Sequence, residues 1–208
     1  MKLTSSSWTD GGPIPERYAA GKPDGTGQAT FSDNVNPQLA WSDVPELTQS
    51  FVLICSDPDV PSKLDDLNKP DREIAADLPR VDFYHWLLVD LPPPLREIAE
   101  GEFSNAFTPR GKPGPQTTHG ARQGLNDYTG FMAGGELEGQ YFGYDGPFPP
   151  FNDSIVHHYV FTLYALSVSR APIDGTFTGA QLREAIRPHV LAEASFSGTY
   201  TTNARLRG

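Results

Sequence analysis

Short runs of apolar, β-branched and aromatic residues recur along the chain, and clusters of proline and glycine separate them. This pattern is typical of β-strands joined by loops. It predicts four strands, at residues 50–56, 83–91, 157–168 and 195–201. In the second strand, the odd positions from Phe83 to Val89 and the even positions from Tyr84 to Leu88 should lie on opposite, buried faces. We therefore expect a mainly β, antiparallel fold in which this strand is central.

One helix is expected late in the chain. Thr178 is placed to cap it, and Gln181, three residues on, completes a capping box. Leu182 and Ile186 then share one face, and Pro188 must end or kink the helix. Residues 189–194 are predicted to form a further turn.

Two long segments, 62–82 and 101–143, separate the predicted strands. The first is polar and charged, whereas the second combines many glycines with tyrosines and phenylalanines. Loops of this length are often functional, and we expect these two to fold back as a lid or rim. Because exposed aromatic rings are unfavourable in water, the second segment also predicts a homodimer, with packing inside one chain as the alternative.

Composition and charge restrict the classes of function. The chain has 208 residues, of which 38% are hydrophobic, which suits a single domain over 1–208. Its formal net charge is −10 at pH 7, and its Lys and Arg residues are scattered. Nucleic-acid binding and attachment to an anionic membrane surface are therefore not expected, because both depend on clustered positive charge.

The sequence contains no run close to the roughly 20 apolar residues that span a membrane, and its start lacks the apolar core of a secretory signal. We expect a soluble, cytoplasmic protein without integral membrane contact. Cys55 is the only cysteine, so an internal disulfide and a thiolate metal cage are excluded. Its place in an apolar run predicts a buried, unreactive thiol.

The stretch "SDPDVP", Ser56–Pro61, follows an apolar run and carries two carboxylates, Asp57 and Asp59, beside stiff prolines. Most strings of this kind only form turns, because Asp caps turns well. The buried strand before it and Pro61 after it instead suggest that the carboxylates are held in fixed directions.

Three further stretches could supply chemistry. His85 lies inside an apolar strand, where a buried imidazole needs a partner, such as a nearby aspartate. Gly146 opens a proline-rich segment that leads into "HHY". By strand alternation, His157 and Tyr159 should point to one side and His158 to the other.

We predict that Asp57, Asp59, His85, His157 and Tyr159 converge on one pocket, with Gly146 at its lip.

Several known motifs are absent. The sequence has no GxxxxGK, HExxH, GxSxG or strand-linked GxGxxG pattern. Neither Ser56 nor Ser154 has an evident base to activate it. No catalytic residue, metal or cofactor is predicted.

Taken together, "DPDVP", "HWLLVDLP", "GPFPPFNDSIVHHYVFTLYAL" and the ending "HVLAEASFSGTYT" resemble the phosphatidylethanolamine-binding protein family, specifically its bacterial and archaeal Raf-kinase-inhibitor-like branch. The motifs occur in the family's order and span most of the chain. The resemblance implies a large central antiparallel sheet, a smaller sheet on one face and peripheral C-terminal helices. It also implies a small anion-binding pocket at one end.

The resemblance assigns ligand-binding positions residue by residue. They are Asp57, Asp59 and Pro61 of the first motif, His85 of the second, and Gly146, His157 and Tyr159 of the third. Where the family usually has arginine between His157 and Tyr159, this chain has His158, so a fixed positive charge is missing from the rim.

Three functions compete. The first is binding of a small phosphate-like or phosphoethanolamine-like anion. The second is inhibition of a kinase or protease through the pocket rim, as the resemblance suggests. The third is a hydrolase that uses metal or acid–base chemistry. We rank binding first and enzymatic activity last. If His85 and His157 supply the positive charge, anion binding should weaken as pH rises.

Overall fold

The computed structural model describes residues 1–207 and contains a set of short and long strands with two α-helices. The strands are β1 (Lys2–Thr4), β2 (Gly21–Pro23), β3 (Ala29–Phe31), β4 (Leu39–Ser42), β5 (Ser50–Pro61), β6 (Arg80–Leu91), β7 (Glu97–Ile98), β8 (Arg122–Gln123), β9 (His157–Leu166) and β10 (Val190–Tyr200). The helices are α1 (Tyr128–Phe131) and α2 (Gly179–Ile186). Short 3₁₀ turns cover Glu16–Tyr18, Thr118–Gly120, Arg187–His189 and Ala204–Leu206.

The long strands form one antiparallel sheet in the order β10-β9-β5-β6-β8. A smaller antiparallel sheet has the order β1-β4-β7, and β2 and β3 form a separate hairpin. Strand β5 lies at the centre of the large sheet, and β6 and β9 flank it. The expected mainly β fold, with a large central sheet and a smaller one, is confirmed.

Two apolar cores form, one on each face of the large sheet. The smaller sheet covers the first face, with side chains such as Leu39, Trp41, Phe51, Leu53 and Trp86 in contact. Helix α2 covers the second face, where its Leu182 and Ile186 pack with side chains such as Val52 and Leu87. Complete burial of a Leu or Phe side chain stabilises a fold by about 1.5–3 kcal/mol, so both faces of the central strands contribute.

The even alternation predicted for the second strand is wrong at one position. Cys55 pairs with Trp86 and Ser56 with Tyr84, which leaves His85 as an extra residue of β6. This β-bulge reverses the alternation, so Tyr84 joins the core under α2 while Trp86 joins the opposite core. His85 packs edge-to-face on Tyr159, on the same side as Trp86.

The predicted helix is confirmed as α2. The Gln181 side chain accepts a hydrogen bond from the Thr178 N–H at 3.0 Å, and the α-helix ends before Pro188. The further turn predicted over 189–194 is wrong, because β10 starts at Val190 and pairs along β9. Alternate residues of this edge strand are only partly buried, which weakens its apolar pattern in the sequence.

The two long loops return to the same end of the large sheet. Residues 62–79 contain neither helix nor strand apart from an isolated bridge between Ile74 and Asp153. The segment 101–143 contains β8 and α1. Both loops line the cavity described next, as expected for a rim.

Candidate ligand-binding site

A cavity of about 120 Å³ opens at one end of the large sheet, among β5, β6 and β9. Its floor consists of four buried polar side chains, Asp57, His85, His157 and Tyr159. These come from three strands that lie side by side, which explains how segments distant in sequence meet. Because pockets for drug-sized ligands enclose about 300–1,000 Å³, this cavity suits a small group.

The mouth of the cavity is apolar. We call this ring of side chains the collar; it consists of Phe31, Leu64, Leu67, Phe131, Met132 and Phe148. The prolines of both motifs, Pro61, Pro149 and Pro150, also line the cavity. The site therefore combines a polar floor with an apolar entrance.

Asp57 is held by a bulge in β5. The strand continues through the whole DPDVP motif, but its register with β6 shifts between Asp57 and Val60. Asp57 Oδ1 accepts a hydrogen bond from the Asp59 N–H at 2.7 Å. The carboxylate is therefore fixed by its own backbone, and Asp57 is only 1% exposed.

His157 links Asp57 to a second carboxylate. Its Nδ1–H donates to Asp57 Oδ2 at 2.7 Å, and its Nε2–H donates to Asp153 Oδ2 at 3.1 Å. Burial by itself would lower the pKa of His157, but the hydrogen bonds and charges of Asp153 and Asp57 raise it to about 9. His157 is therefore an imidazolium at neutral pH, and both of its N–H groups are occupied.

Arg80 completes this chain of charges. Its guanidinium binds Asp153 in a bidentate manner, at 2.6 and 3.1 Å. Burial opposes ionisation of Asp153, yet the hydrogen bonds from His157 and Arg80 lower its pKa. This network carries two positive charges, on Arg80 and His157, and two negative charges, on Asp153 and Asp57. The network is therefore neutral overall, and its member at the end nearest the cavity is the Asp57 carboxylate.

His85 has a different environment. Its Nδ1–H donates to the backbone carbonyl of Asp145 at 2.7 Å, and the Asp145 N–H donates back to the His85 carbonyl at 3.1 Å. His85 is 3% exposed, and its Nε2 has no hydrogen-bond partner within the described residues. Burial lowers its pKa, although Asp57 and Asp145 act in the opposite direction.

Tyr159 supplies the other unpaired polar atom of the floor. Its ring meets that of His85 edge-to-face, with centroids 5.2 Å apart. Its hydroxyl is buried and also lacks a hydrogen-bond partner in residues 1–207. Burial, reinforced by the charge of Asp57, raises the pKa of this phenol well above its usual value. It is therefore a neutral hydroxyl that can donate to a ligand or to the neighbouring Asp57 carboxylate.

Asp59 and Gly146 lie outside the lining of the cavity, which corrects the expected set. The Asp59 carboxylate turns to the surface and pairs with His158 Nδ1 at 2.8 Å. The backbone N–H of Gly146 donates to Asn34 Oδ1, and its carbonyl accepts from the Tyr128 hydroxyl. A Cβ on Gly146 would lie 2.2 Å from the Tyr18 carbonyl oxygen, so the position has no room for a side chain.

The expected orientation of the paired histidines is confirmed. His157 and Tyr159 are buried on the cavity side, whereas the side chain of His158 is 59% exposed. His158, which replaces the family arginine, faces away from the floor and contributes no charge there.

Sequence reasoning missed the residues that support the floor. Asp153 lies four positions before His157, inside a stretch already singled out, and Asp145 directly precedes that stretch. The Asp145 carboxylate is fully buried and accepts from Asn34, Asn126 and Lys112 at 2.6–2.8 Å. Partners this far apart in sequence leave no local signal.

Asn152 anchors the first loop. Its Oδ1 accepts from the Asn68 N–H at 3.0 Å, and its amide donates to the carbonyls of Asp66, Lys69 and Arg72. These bonds hold the loop that carries Leu64 and Leu67 of the collar. Asn152 is 5% exposed and acts as a structural residue.

Other chemical candidates are placed elsewhere. Ser154 Oγ donates to the Ile74 carbonyl, and neither Ser154 nor Ser56 lines the cavity. Cys55 lies in an apolar core, where burial raises the pKa of its thiol well above the usual value. Within residues 1–207, no group of three or more His, Cys, Asp and Glu side chains is arranged to hold a metal ion.

Comparison with known proteins agrees with this architecture. The model of the phosphatidylethanolamine-binding protein family matches residues 4–201. The chain belongs to this family. Within it, the UPF0098 protein YbhB of Escherichia coli is 30% identical over 97% of this chain and 100% of its own length. A UPF0098 protein of the archaeon Methanothermobacter thermautotrophicus is 32% identical over 96% of this chain and 98% of its own.

Solved structures of family members have the same fold. The homologue CT736 of Chlamydia trachomatis superimposes with a TM-score of 0.63 at 30% identity, covering 96% of this chain and 95% of its own. YbcL of Escherichia coli, described as a member of the mammalian family, gives a TM-score of 0.67 at 25% identity, covering 96% of this chain and 97% of its own.

Among the described residues, no helix is both long and apolar enough to cross a membrane.

Proposed function

We propose that this protein of the phosphatidylethanolamine-binding family binds a small phosphate-like group on the cavity floor and acts through binding, without catalysing a reaction. One observation carries the proposal: among residues 1–207, His85 Nε2 and the Tyr159 hydroxyl find no hydrogen-bond partner, and both are buried in residues that line the cavity. Buried polar atoms are nearly always paired, because an unpaired one costs roughly 1–3 kcal/mol. A polar ligand would pair both.

The charges of the floor determine how an anion could bind. His157 has no free N–H, and the adjacent Asp57 repels negative charge. The groups that face His85 are Asp57, His157, Tyr159, Tyr128 and Asp145, and none of them offers a free positive charge. An anion must therefore bind together with a proton, held either by the ligand or by His85.

We predict that phosphate and phosphoethanolamine bind more tightly at pH 6 than at pH 8. Burial lowers the pKa of His85 below 6.5, so the ring of the free protein is mostly neutral across this range. The pH dependence then comes mainly from the ligand, because a phosphate ester loses its second proton at about pH 6. His157 does not contribute to the change, because its pKa of about 9 keeps it charged at both values. This replaces the expectation that both histidines titrate.

Isothermal titration calorimetry at the two pH values tests this prediction. A loss of about tenfold or more in affinity from pH 6 to pH 8 is expected. Equal affinities would contradict it, and absence of binding at both values would contradict the proposed function. His158→Ala is the matched control, because His158 is exposed and faces away from the cavity.

Inhibition of a kinase or protease through the rim is the second candidate. The collar favours it: Phe31, Leu64 and Phe131 are 43%, 49% and 41% exposed and surround one opening. Exposed apolar side chains grouped at a pocket are typical of interaction sites. A peptide segment of a partner protein could cover the collar while a polar side chain enters the cavity. This proposal includes a cytoplasmic location for the protein and for its partner.

A homodimer through 101–143 is still a prediction. Packing inside the chain already accounts for most aromatic rings of the segment, since Phe103, Tyr128, Tyr141 and Phe142 are buried. Phe131 is the ring that stays exposed and could contact a second copy. Light scattering at micromolar and higher concentrations should give the mass of a dimer. A single monomer mass across this range would contradict the prediction.

A further inference from the structure

We propose that residues 63–73, here called the flap, form a lid over the cavity and that Asn152 is the latch that holds this lid closed. A ligand reaches the floor only while the flap is open. The inference rests on the proposed function, because it concerns access to the same floor, but its test requires no knowledge of the ligand.

The polar atoms of the floor are closed off in this structure. His85 Nε2 and the Tyr159 hydroxyl are buried, although the cavity that they line has a mouth. A group of the size of phosphate cannot touch a buried atom until neighbouring side chains move aside. One wall of the cavity must therefore open before the floor binds a ligand.

Packing identifies the wall that moves most easily. The wall formed by the second long loop includes the buried Tyr128, and Phe31 at the end of β3 stacks on Phe107 with ring centroids 4.1 Å apart. The flap lines the cavity with two leucines of the collar, yet none of the residues 63–73 is buried. Segments with few buried apolar contacts open locally at the smallest cost in free energy. The flap is therefore the wall that opens.

Asn152 binds the flap at four points. Its side-chain amide donates to three flap carbonyls, at 2.8 Å from Asp66 and at 3.2 Å from both Lys69 and Arg72. Its Oδ1 accepts from the Asn68 N–H at 3.0 Å. Asn152 is itself 5% exposed, so these bonds are shielded from water while the flap is closed. Loss of this one side chain removes all four.

The flap is built to move as a unit. Short turns inside it hold its shape, as from the Leu67 N–H to the Leu64 carbonyl at 3.1 Å. The chain that follows it is fixed by Arg80, whose guanidinium donates to the Ala75 and Leu78 carbonyls at 2.9 and 3.2 Å. Opening therefore breaks the latch but leaves Arg80 and the charged network behind the floor in place.

His85 provides a chemical reporter of opening. Diethyl pyrocarbonate acylates the free nitrogen of a neutral imidazole, and the free nitrogen of His85 is buried at the floor. At pH 7, mass mapping of peptides should show His85 reacting at least about tenfold faster in Asn152→Ala than in the wild type, because each lost hydrogen bond favours the open flap. His119, His158 and His189 lie outside the cavity lining and should keep their wild-type rates.

Two further variants test the latch. Arg72→Ala is the matched control, because it removes only an exposed side chain, 3.5 Å from Asp66, and keeps the carbonyl that Asn152 binds. It should react like the wild type. Asn152→Asp keeps the acceptor but directs a carboxylate at three carbonyls, so it should also open the flap. A wild-type rate for His85 in both Asn152 variants would overturn the inference.

Hydrogen–deuterium exchange on the same samples separates an open flap from a weakened fold. In Asn152→Ala, the amides of the flap should exchange at least about tenfold faster, while those of β5, β6 and β9 keep their wild-type rates. Faster exchange throughout the large sheet would overturn the inference, because Asn152 would then stabilise the whole fold.

Inorganic phosphate distinguishes failure of the lid from failure of the proposed function. Added at saturating concentration to the wild type, phosphate should slow the reaction of His85. If His85 reacts faster in Asn152→Ala but phosphate gives no protection, the lid is supported and the proposed function is contradicted. If phosphate protects and the Asn152 variants react like the wild type, the lid is overturned and the proposed function stands.

Discussion

Replacing His157 with alanine is expected to lower the free energy of unfolding by about 3–5 kcal/mol. The change removes an imidazolium that is fully buried between Asp57 and Asp153, and it leaves Asp57 without a cationic partner. Loss of one partner from a buried ion pair has an effect of this size, because the remaining charge stays buried and uncompensated. Urea denaturation at pH 7 measures it.

The neighbouring His158 is the matched control. It pairs with Asp59 at the surface with 59% of its side chain exposed, so His158→Ala should change stability by less than about 1 kcal/mol. Similar losses in the two variants would contradict the assignment of the buried network.

The same network predicts how the stability of the wild-type protein depends on pH. Because folding raises the pKa of His157 from 6.5 to about 9, its contribution is complete below pH 6.5 and is lost as pH rises through 9. The expected decline is roughly 3 kcal/mol, from about 1.4 kcal/mol per pKa unit. His157→Ala should lack this decline, and a parallel decline in the variant would assign it to other groups.

Replacing Asp145 with asparagine should have the second large effect, a loss of about 3–5 kcal/mol. The fully buried carboxylate accepts hydrogen bonds from Lys112, Asn34 and Asn126. An asparagine amide in its place would direct its own N–H donors toward these donors. Lys112, whose side chain is only 12% exposed, would also lose its counterion. The backbone that orients His85 would no longer be held, so binding of phosphate should weaken together with stability.

Urea denaturation and calorimetry on the same sample test both parts. Asp174→Asn is the control, because that carboxylate is 93% exposed and should change stability by no more than about 0.5 kcal/mol. An Asp145→Asn variant within 1 kcal/mol of wild type would show that the three donors find other partners.

The sequence alone determined the features that depend on local periodicity. Each of the four long strands overlaps a short apolar run, and the start of α2 follows from its capping box. The opposite orientations of His157 and His158 follow from the two-residue period of a strand. These properties need only neighbouring residues. The resemblance of the ordered motifs then supplied the family and its two-sheet fold.

Only the tertiary structure decided which side chains form the floor and what charge each one has. The bulge that leaves His85 unpaired depends on how β5 and β6 align, and it moved His85 to the side of Trp86 against the simple alternation. The bulge at Asp57 likewise separated two aspartates that the DPD motif had placed together.

The network behind the floor has the same origin. Asp153 meets Arg80 across 73 residues of sequence, and Asp145 meets Asn34 across 111. These partners set the charge of His157 and the tautomer of His85, because protonation depends on burial and on the nearest charges in space. The local sequence contains information on neither burial nor neighbours in space. It therefore identified the two histidines as candidates, but it could not predict that His157 is a fixed cation and that His85 has a free acceptor nitrogen.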